Sequence, residues 1–218
     1  MSAPRPDTSE MVNVHQALRD ALGAAPVLVG GIEPGDADRS ALIADYYENV
    51  LAFLAVHHHG EELLMFPLLR DRCPGQEGAI DWISAQHHDV DGGVAEAKEL
   101  LAAWPQDKGT EIQQRLGRSL QDLGVTLATH LDDEEREMLP LCADHLSMEE
   151  WGALPAHAMA NFTGNKHWLI LGLVFEQMTP RQRQDILDHM PPPPREMWTS
   201  MGADAFDSLI AEVRAPLT

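Results

Sequence analysis

Apolar residues recur every three or four positions along most of this chain, and short proline- and glycine-containing breaks cut that pattern into a few long runs. Such a period suits one buried face of an α-helix, and no stretch alternates with the period of two that a half-buried strand requires. The first run (Met11, Val14, Leu18, Leu22) follows the cap-forming Asp7-Thr8-Ser9 and reaches about Gly30. The second extends from about Asp38 through Leu42, Tyr46, Val50, Leu54 and Leu64 to Arg72, and Pro74-Gly75 stops it. The third spans about Gln76 to Trp104, ending at Pro105, and the fourth about Thr110 to His145. Long amphipathic helices joined by short connections pack as antiparallel neighbours, so the expected fold is all-α, an up-down four-helix bundle over residues 1–146.

Beyond His145 the runs shorten. Ser147-Met148-Glu149-Glu150 has the S-x-x-E form of a capping box, and Thr179-Pro180 opens another helix with proline at its first position. Helices are expected over about Asn165–Gln177 and Arg195–Arg214, with Pro191–Pro194 as a rigid spacer between elements. Residues 147–218 therefore read as a helical C-terminal extension packed on the bundle, with Trp151, Trp168 and Trp198 as its anchors.

Charge narrows the functional classes. Fifteen basic against 35 acidic residues give a net charge of −20, which opposes binding to nucleic acid or to anionic lipid. Cys73 and Cys142 stand alone, in no CxxC pair, and both are expected to be inert thiols. No apolar run approaches the roughly 18 residues of a membrane span, and no apolar stretch precedes Met11 as a signal peptide would. The expectation is a soluble, cytoplasmic protein. The unusual feature is 11 histidines, two of which begin the same motif.

His57-His58-His59-Gly60-Glu61-Glu62-Leu63-Leu64-Met65-Phe66-Pro67-Leu68 aligns without gaps to His130-Leu131-Asp132-Asp133-Glu134-Glu135-Arg136-Glu137-Met138-Leu139-Pro140-Leu141. Each leading His has a Glu four residues on, one turn up the same helix face, where imidazole and carboxylate can converge on one ion. Val50 and Leu54 precede His57 at the offsets by which Leu123 and Leu127 precede His130, which puts both on the inward stripe. His15 is followed by Leu18 and Leu22 at the offsets by which His87 is followed by Val90 and Val94. The chain thus contains two similar hairpins, each carrying an inward His and then an inward His-x-x-x-Glu. Four His and two Glu exceed the four ligands of a structural zinc site and suit iron, manganese or zinc. Bridging carboxylates with terminal imidazoles are the donor set of two ions about 3.5–4 Å apart.

The runs His57–His59 and His87-His88 leave a choice of phase, because His58 stands to Glu62 as His57 stands to Glu61. Alignment through Pro67 and Pro140 selects His57 and Glu61; matching apolar offsets select His87. His58, His59 and His88 are then expected on the surface or behind the ligands, and Glu62 and Glu135 on a solvated helix face, as an extra ligand, or orienting a ligand. His145, His157, His167 and His189 are expected to be structural or exposed.

The ordered set of a lone His, a His-x-x-x-Glu followed by an aromatic-Pro, a third-helix His and a final His-x-x-x-Glu resembles the hemerythrin-like, or HHE cation-binding, domain over about residues 9–146. That resemblance implies a four-helix bundle around a non-haem centre of two iron ions. Its ligands would be His15, His57, Glu61, His87, His130 and Glu134, with Glu61 and Glu134 bridging. It also implies a small ligand such as oxygen, peroxide or nitric oxide. The oxygen-carrying members place a second His four residues after the third-helix His; here that position is Asp91. Asp91 could ligate, accept a hydrogen bond or face water, and the missing imidazole favours a reactive site over reversible carriage. A regulatory module that senses metal or redox state and signals to a protein partner through residues 147–218 is the alternative. Structural zinc is a third.

Overall fold

The computed structural model describes residues 5–107 and 109–216. Among them all regular structure is helical: α1 (Ser9–Gly23), α2 (Ala25–Gly30), α3 (Ala37–Gly60), α4 (Phe66–Arg72), α5 (Glu77–Ala103), α6 (Glu111–Glu137), α7 (Leu139–His145), α8 (Met148–Asn161), α9 (His167–Glu176), α10 (Pro180–His189), α11 (Pro192–Met197) and α12 (Ala203–Val213). No helix among the described residues is long and apolar enough to cross a membrane.

Helices α1, α6, α5 and α3 close a ring, each packed on the next. Two apolar clusters fill it. The larger gathers Leu18 and Leu22 from α1, Val50 and Leu54 from α3, Val90 and Val94 from α5, and Leu123 and Leu127 from α6. The smaller gathers Met11, Phe66, Ile80, Ile83, Met138 and Leu139. The larger cluster therefore lies after the motif histidine on α1 and α5 but before it on α3 and α6. Alternating order of this kind is what an up-down bundle produces, and it leaves one polar level between the two clusters.

Prolines account for where the long patterns break. Pro26 sits in the first turn of α2 and divides the first run at Ala24. The second run continues through a single wide turn, Glu61–Met65, in which the Phe66 N–H reaches back to the Glu61 carbonyl. Pro67 lacks an N–H and crowds the preceding turn, and the wider turn absorbs both effects. The fourth run meets Pro140 differently: α6 ends and α7 begins at Met138, whose N–H still reaches Glu134. The expected spacer at Pro191–Pro194 is instead a helix start, with Pro191 as N-cap and the next three prolines in the first turn of α11. First-turn N–H groups have no helical partner, so proline loses nothing there.

The C-terminal helices share the bundle's core. Leu169, Phe175, Phe206 and Ile210 belong to the larger cluster, with Trp168 and Trp198 packed against it, while Trp151 and Leu154 complete the smaller one. The capping box at Ser147 and Glu150 forms as the sequence suggests, and Arg72 grips the same Glu150 through both guanidinium nitrogens. Buried Asn49 on α3 accepts from the backbone N–H groups of Asn165 and Lys166, at 3.0 Å each, and so fixes the approach to α9. Lys166 pairs with Asp45 at 2.7 Å. On α9, Gly172 lies directly under the Phe206 ring, where an added Cβ would collide. Gly152 on α8 faces open space. Gly172→Ala should therefore cost about 1–3 kcal/mol through overpacking, whereas Gly152→Ala should stabilise by up to about 1 kcal/mol. Urea unfolding midpoints of the two variants check this; equal effects would mean that α12 is not seated on α9.

Candidate metal centre

Between the two apolar clusters lies a layer of seven buried ionisable side chains. They form two groups of four whose donor atoms all lie within 4.8 Å of one another: His58, Glu61, His87 and His130, and His15, His57, Glu61 and Glu134. Glu61 belongs to both. Its carboxylate oxygens lie 3.1 Å from His57 Nε2 and 3.4 Å from His87 Nε2. Glu134 lies 3.7 Å from His15 Nε2 and 3.6 Å from His130 Nε2, so it too reaches towards both groups. The rings pack tightly: His58 stacks on His87 at 4.0 Å between centroids and meets His130 edge-on at 5.0 Å.

These inward atoms have no hydrogen-bond partners. The Nε2 atoms of His15, His57, His58, His87 and His130 and all four oxygens of Glu61 and Glu134 are buried and unsatisfied. Buried polar groups are ordinarily paired, so convergent unpaired lone pairs are the mark of a cation site. Burial pushes both carboxyls up to about 8, helped in Glu134 by the nearby Glu61 carboxylate. Burial and the neighbouring imidazoles hold His57 and His58 well below the usual histidine range, and His130 down at about 3. His57, His58 and His130 are thus neutral, as metal binding requires. The donor set of imidazoles and shared carboxylates fits iron, with manganese or zinc also compatible.

The outward nitrogens are managed separately. His87 Nδ1 donates to Glu62 at 2.9 Å, and Glu62 also accepts from Ser84. His15 Nδ1 donates to Glu135 at 2.9 Å, and Glu135 also accepts from Arg19. Those bonds hold the Glu135 carboxyl below its usual range although burial acts to raise it. His130 Nδ1 donates to the Gln86 amide oxygen at 3.1 Å, and the Gln86 amide donates to Asp133. Each bond places the proton on Nδ1 and frees Nε2 for a metal. The repeated Glu-Glu pair therefore divides its work. Glu61 and Glu134 face the layer, while Glu62 and Glu135 each orient an imidazole on another helix.

All six residues selected from the sequence fall in this layer. His58 was expected on the surface or behind the ligands and instead lies inside, giving five imidazoles. The reason is that α3 is enclosed over most of its circumference, leaving a narrow stripe with Ala41, Glu48 and His59 in water: α1 and α5 cover one part and α8 and α9 another, so Val50–Leu54 and Val56 are all buried. That continuous apolar run, rather than a stripe, was the available signal. Asp91 faces solvent and joins neither group, as do His59 and His88. The fifth imidazole of the layer thus comes from α3 rather than from position 91. His145 and His189 are exposed, and His157 and His167 lie outside both groups. Cys73 and Cys142 are free and buried, with burial raising both thiol pKa values.

The two carboxyls make the metal-free fold sensitive to pH. Their folded pKa values, about 8, exceed the ordinary 4.5, so the folded chain holds more protons and loses stability as pH rises through that window. The depressed histidines act oppositely, but only below their ordinary 6.5. Between about pH 6.5 and 8 the carboxyl effect stands alone. The melting temperature of chelated protein should fall across that interval, and added metal should offset the fall by taking the ionised carboxylates. A chelated protein that gains stability there would show that the carboxyls are hydrated.

A family model described as the hemerythrin HHE cation-binding domain matches residues 7–142. No curated protein and no solved structure matches the chain. The matched segment contains every inward histidine and both shared carboxylates, and this chain belongs to the hemerythrin HHE cation-binding family.

Proposed function

We propose that this protein holds a non-haem pair of irons and uses it to bind or turn over a small neutral oxygen, peroxide or nitric oxide species. The single observation supporting this most strongly is the sharing of Glu61 between two four-donor groups whose inward atoms are all unpartnered. His58, His87 and His130 would hold one ion and His15, His57 and Glu134 the other, with Glu61 available to both, and Glu134 lies close enough to both sides to assist. When bound, the irons supply redox electrons and a coordination position for the small ligand. The protein fixes the imidazoles through Glu62, Glu135 and Gln86, balances cationic charge with two carboxylates, and excludes bulk water by the apolar clusters above and below. Residues 1–146 form the metal-binding unit on this reading, and residues 147–218 are a covering extension.

A second reading is favoured by one feature. The helix that supplies His57 and His58 runs directly against α8 and α9, and the wide turn that supplies Glu61 also packs on α8. A change in metal occupancy is therefore felt by the extension, which suits a sensor acting through a protein partner.

Two measurements test these readings. Wild-type protein loaded anaerobically should hold two irons per chain, develop near-ultraviolet absorption on oxidation, and change that spectrum on addition of nitric oxide or hydrogen peroxide. Two irons with no spectral response to either ligand would shift the assignment to the sensor, and bound zinc alone would leave a structural site. Separately, His58→Ala should lose about one of the two ions or weaken it by the order of 10–100-fold or more, while Asp91→Ala and His88→Ala should retain both. Full metal content in His58→Ala would return the site to the six residues first read from the sequence.

A further inference from the structure

A cavity of about 220 Å³ separates α1 and α3 from the C-terminal helices α8, α9 and α10. Its walls include Val14, Phe53, Leu154, Ala158, Ile170 and Phe175, and His57 lines it, with Nε2 but not Nδ1 among the sealed, unpaired atoms. Three of its polar lining residues are Glu10, His57 and His167; no lysine or arginine lines it. The cavity exists only because the extension covers the bundle, and much of its wall lies beyond residue 142, outside the segment that matches the family.

His57 differs from its counterpart in the second hairpin. His130 has its Nδ1 held by Gln86, the residue before His87. The residue before His15 is Val14. His57 is 8% exposed, and its Nδ1 makes no hydrogen bond among the described residues, while Val14 lines the cavity beside it. Where one hairpin supplies an amide acceptor, the other supplies an apolar wall and a cavity. If Nε2 takes a metal, as the proposed function has it, Nδ1 carries the proton and needs an acceptor.

We infer that this cavity is a binding site for a small neutral organic molecule with an apolar body and one hydrogen-bond acceptor, such as an aryl or alkyl ketone, whose oxygen meets His57 Nδ1. Size and charge restrict the ligand. A closed apolar cavity of roughly 150 Å³ accommodates benzene, so one of about 220 Å³ suits about nine heavy atoms. An anion would find no cation in the lining and would face Glu10. The acceptor would sit on the imidazole whose other nitrogen lies 3.1 Å from Glu61, so occupancy would be sensed at the metal layer.

Acetophenone and cumene, equal in heavy atoms, separate shape from acceptor. They are titrated into zinc-loaded protein labelled at the methionine methyls. Saturable shifts are expected at Met11, Met159, Met178 and Met190, which line the cavity, and not at Met201, which is exposed elsewhere. Acetophenone, but not cumene, should move the His57 Nδ1 nitrogen resonance. Val14→Gln, which restores the amide of the other hairpin, should lower the acetophenone-to-cumene affinity ratio by about fivefold, the worth of one hydrogen bond. Absence of saturable shifts up to the solubility limit would overturn the site. Shifts with an unmoved His57 resonance would overturn the acceptor contact, and that readout needs no variant. Zinc stoichiometry in the same samples shows independently whether the metal layer is intact.

Discussion

Seven ionisable side chains at one level of a bundle core impose the main constraint on this molecule. Each has left water without gaining a protein partner for its inward atom, and an unpaired buried charge costs several kcal/mol. The fold meets that constraint in three ways. His57, His58 and His130 remain neutral, the carboxyls hold their protons in the absence of a cation, and apolar clusters on both sides supply the burial that keeps the layer closed. Together these describe a site whose native partner is a cation, because only a cation satisfies every lone pair at once.

The two hairpins reach this layer by the same plan with different local solutions. Both place a His and a Glu one turn apart, and both follow the first Glu with a second that orients an imidazole elsewhere. They diverge at proline. Pro67 is absorbed by a wide turn that leaves α3 continuous into α4, whereas Pro140 divides α6 from α7. They diverge again behind the ligands, where Gln86 faces His130 but Val14 accompanies His57. The site is therefore asymmetric in its imidazoles, three in one group and two in the other.

The extension completes the fold as much as it decorates it. Trp151 closes the smaller cluster, and Leu169, Phe206 and Ile210 extend the larger. Arg39 donates to the Glu212 and Val213 carbonyls at the end of α12, where a cation also suits the helix dipole. These contacts fall mainly on α3 and its neighbours, so the helix that supplies His57 and His58 is also held by the extension.

The four long helices, their order, and six of the seven residues in the layer were legible because each depends on local periodicity. Helical spacing alone puts His57 with Glu61 and His130 with Glu134, and apolar offsets alone turn His15 and His87 inward. The capping box at Ser147 is local in the same sense. His58 was not legible in this way, since a stripe predicts burial from one helix, and His58 is enclosed by His87 and His130 on two other helices. The roles of Glu62 and Glu135 were left open and that of Gln86 was not read at all, because each partner imidazole belongs to another helix, and only packing brings the two within about 3 Å. The sequence by itself determined which residues share a helix face; tertiary structure decided which faces meet, because burial and hydrogen bonding are properties of the assembled bundle.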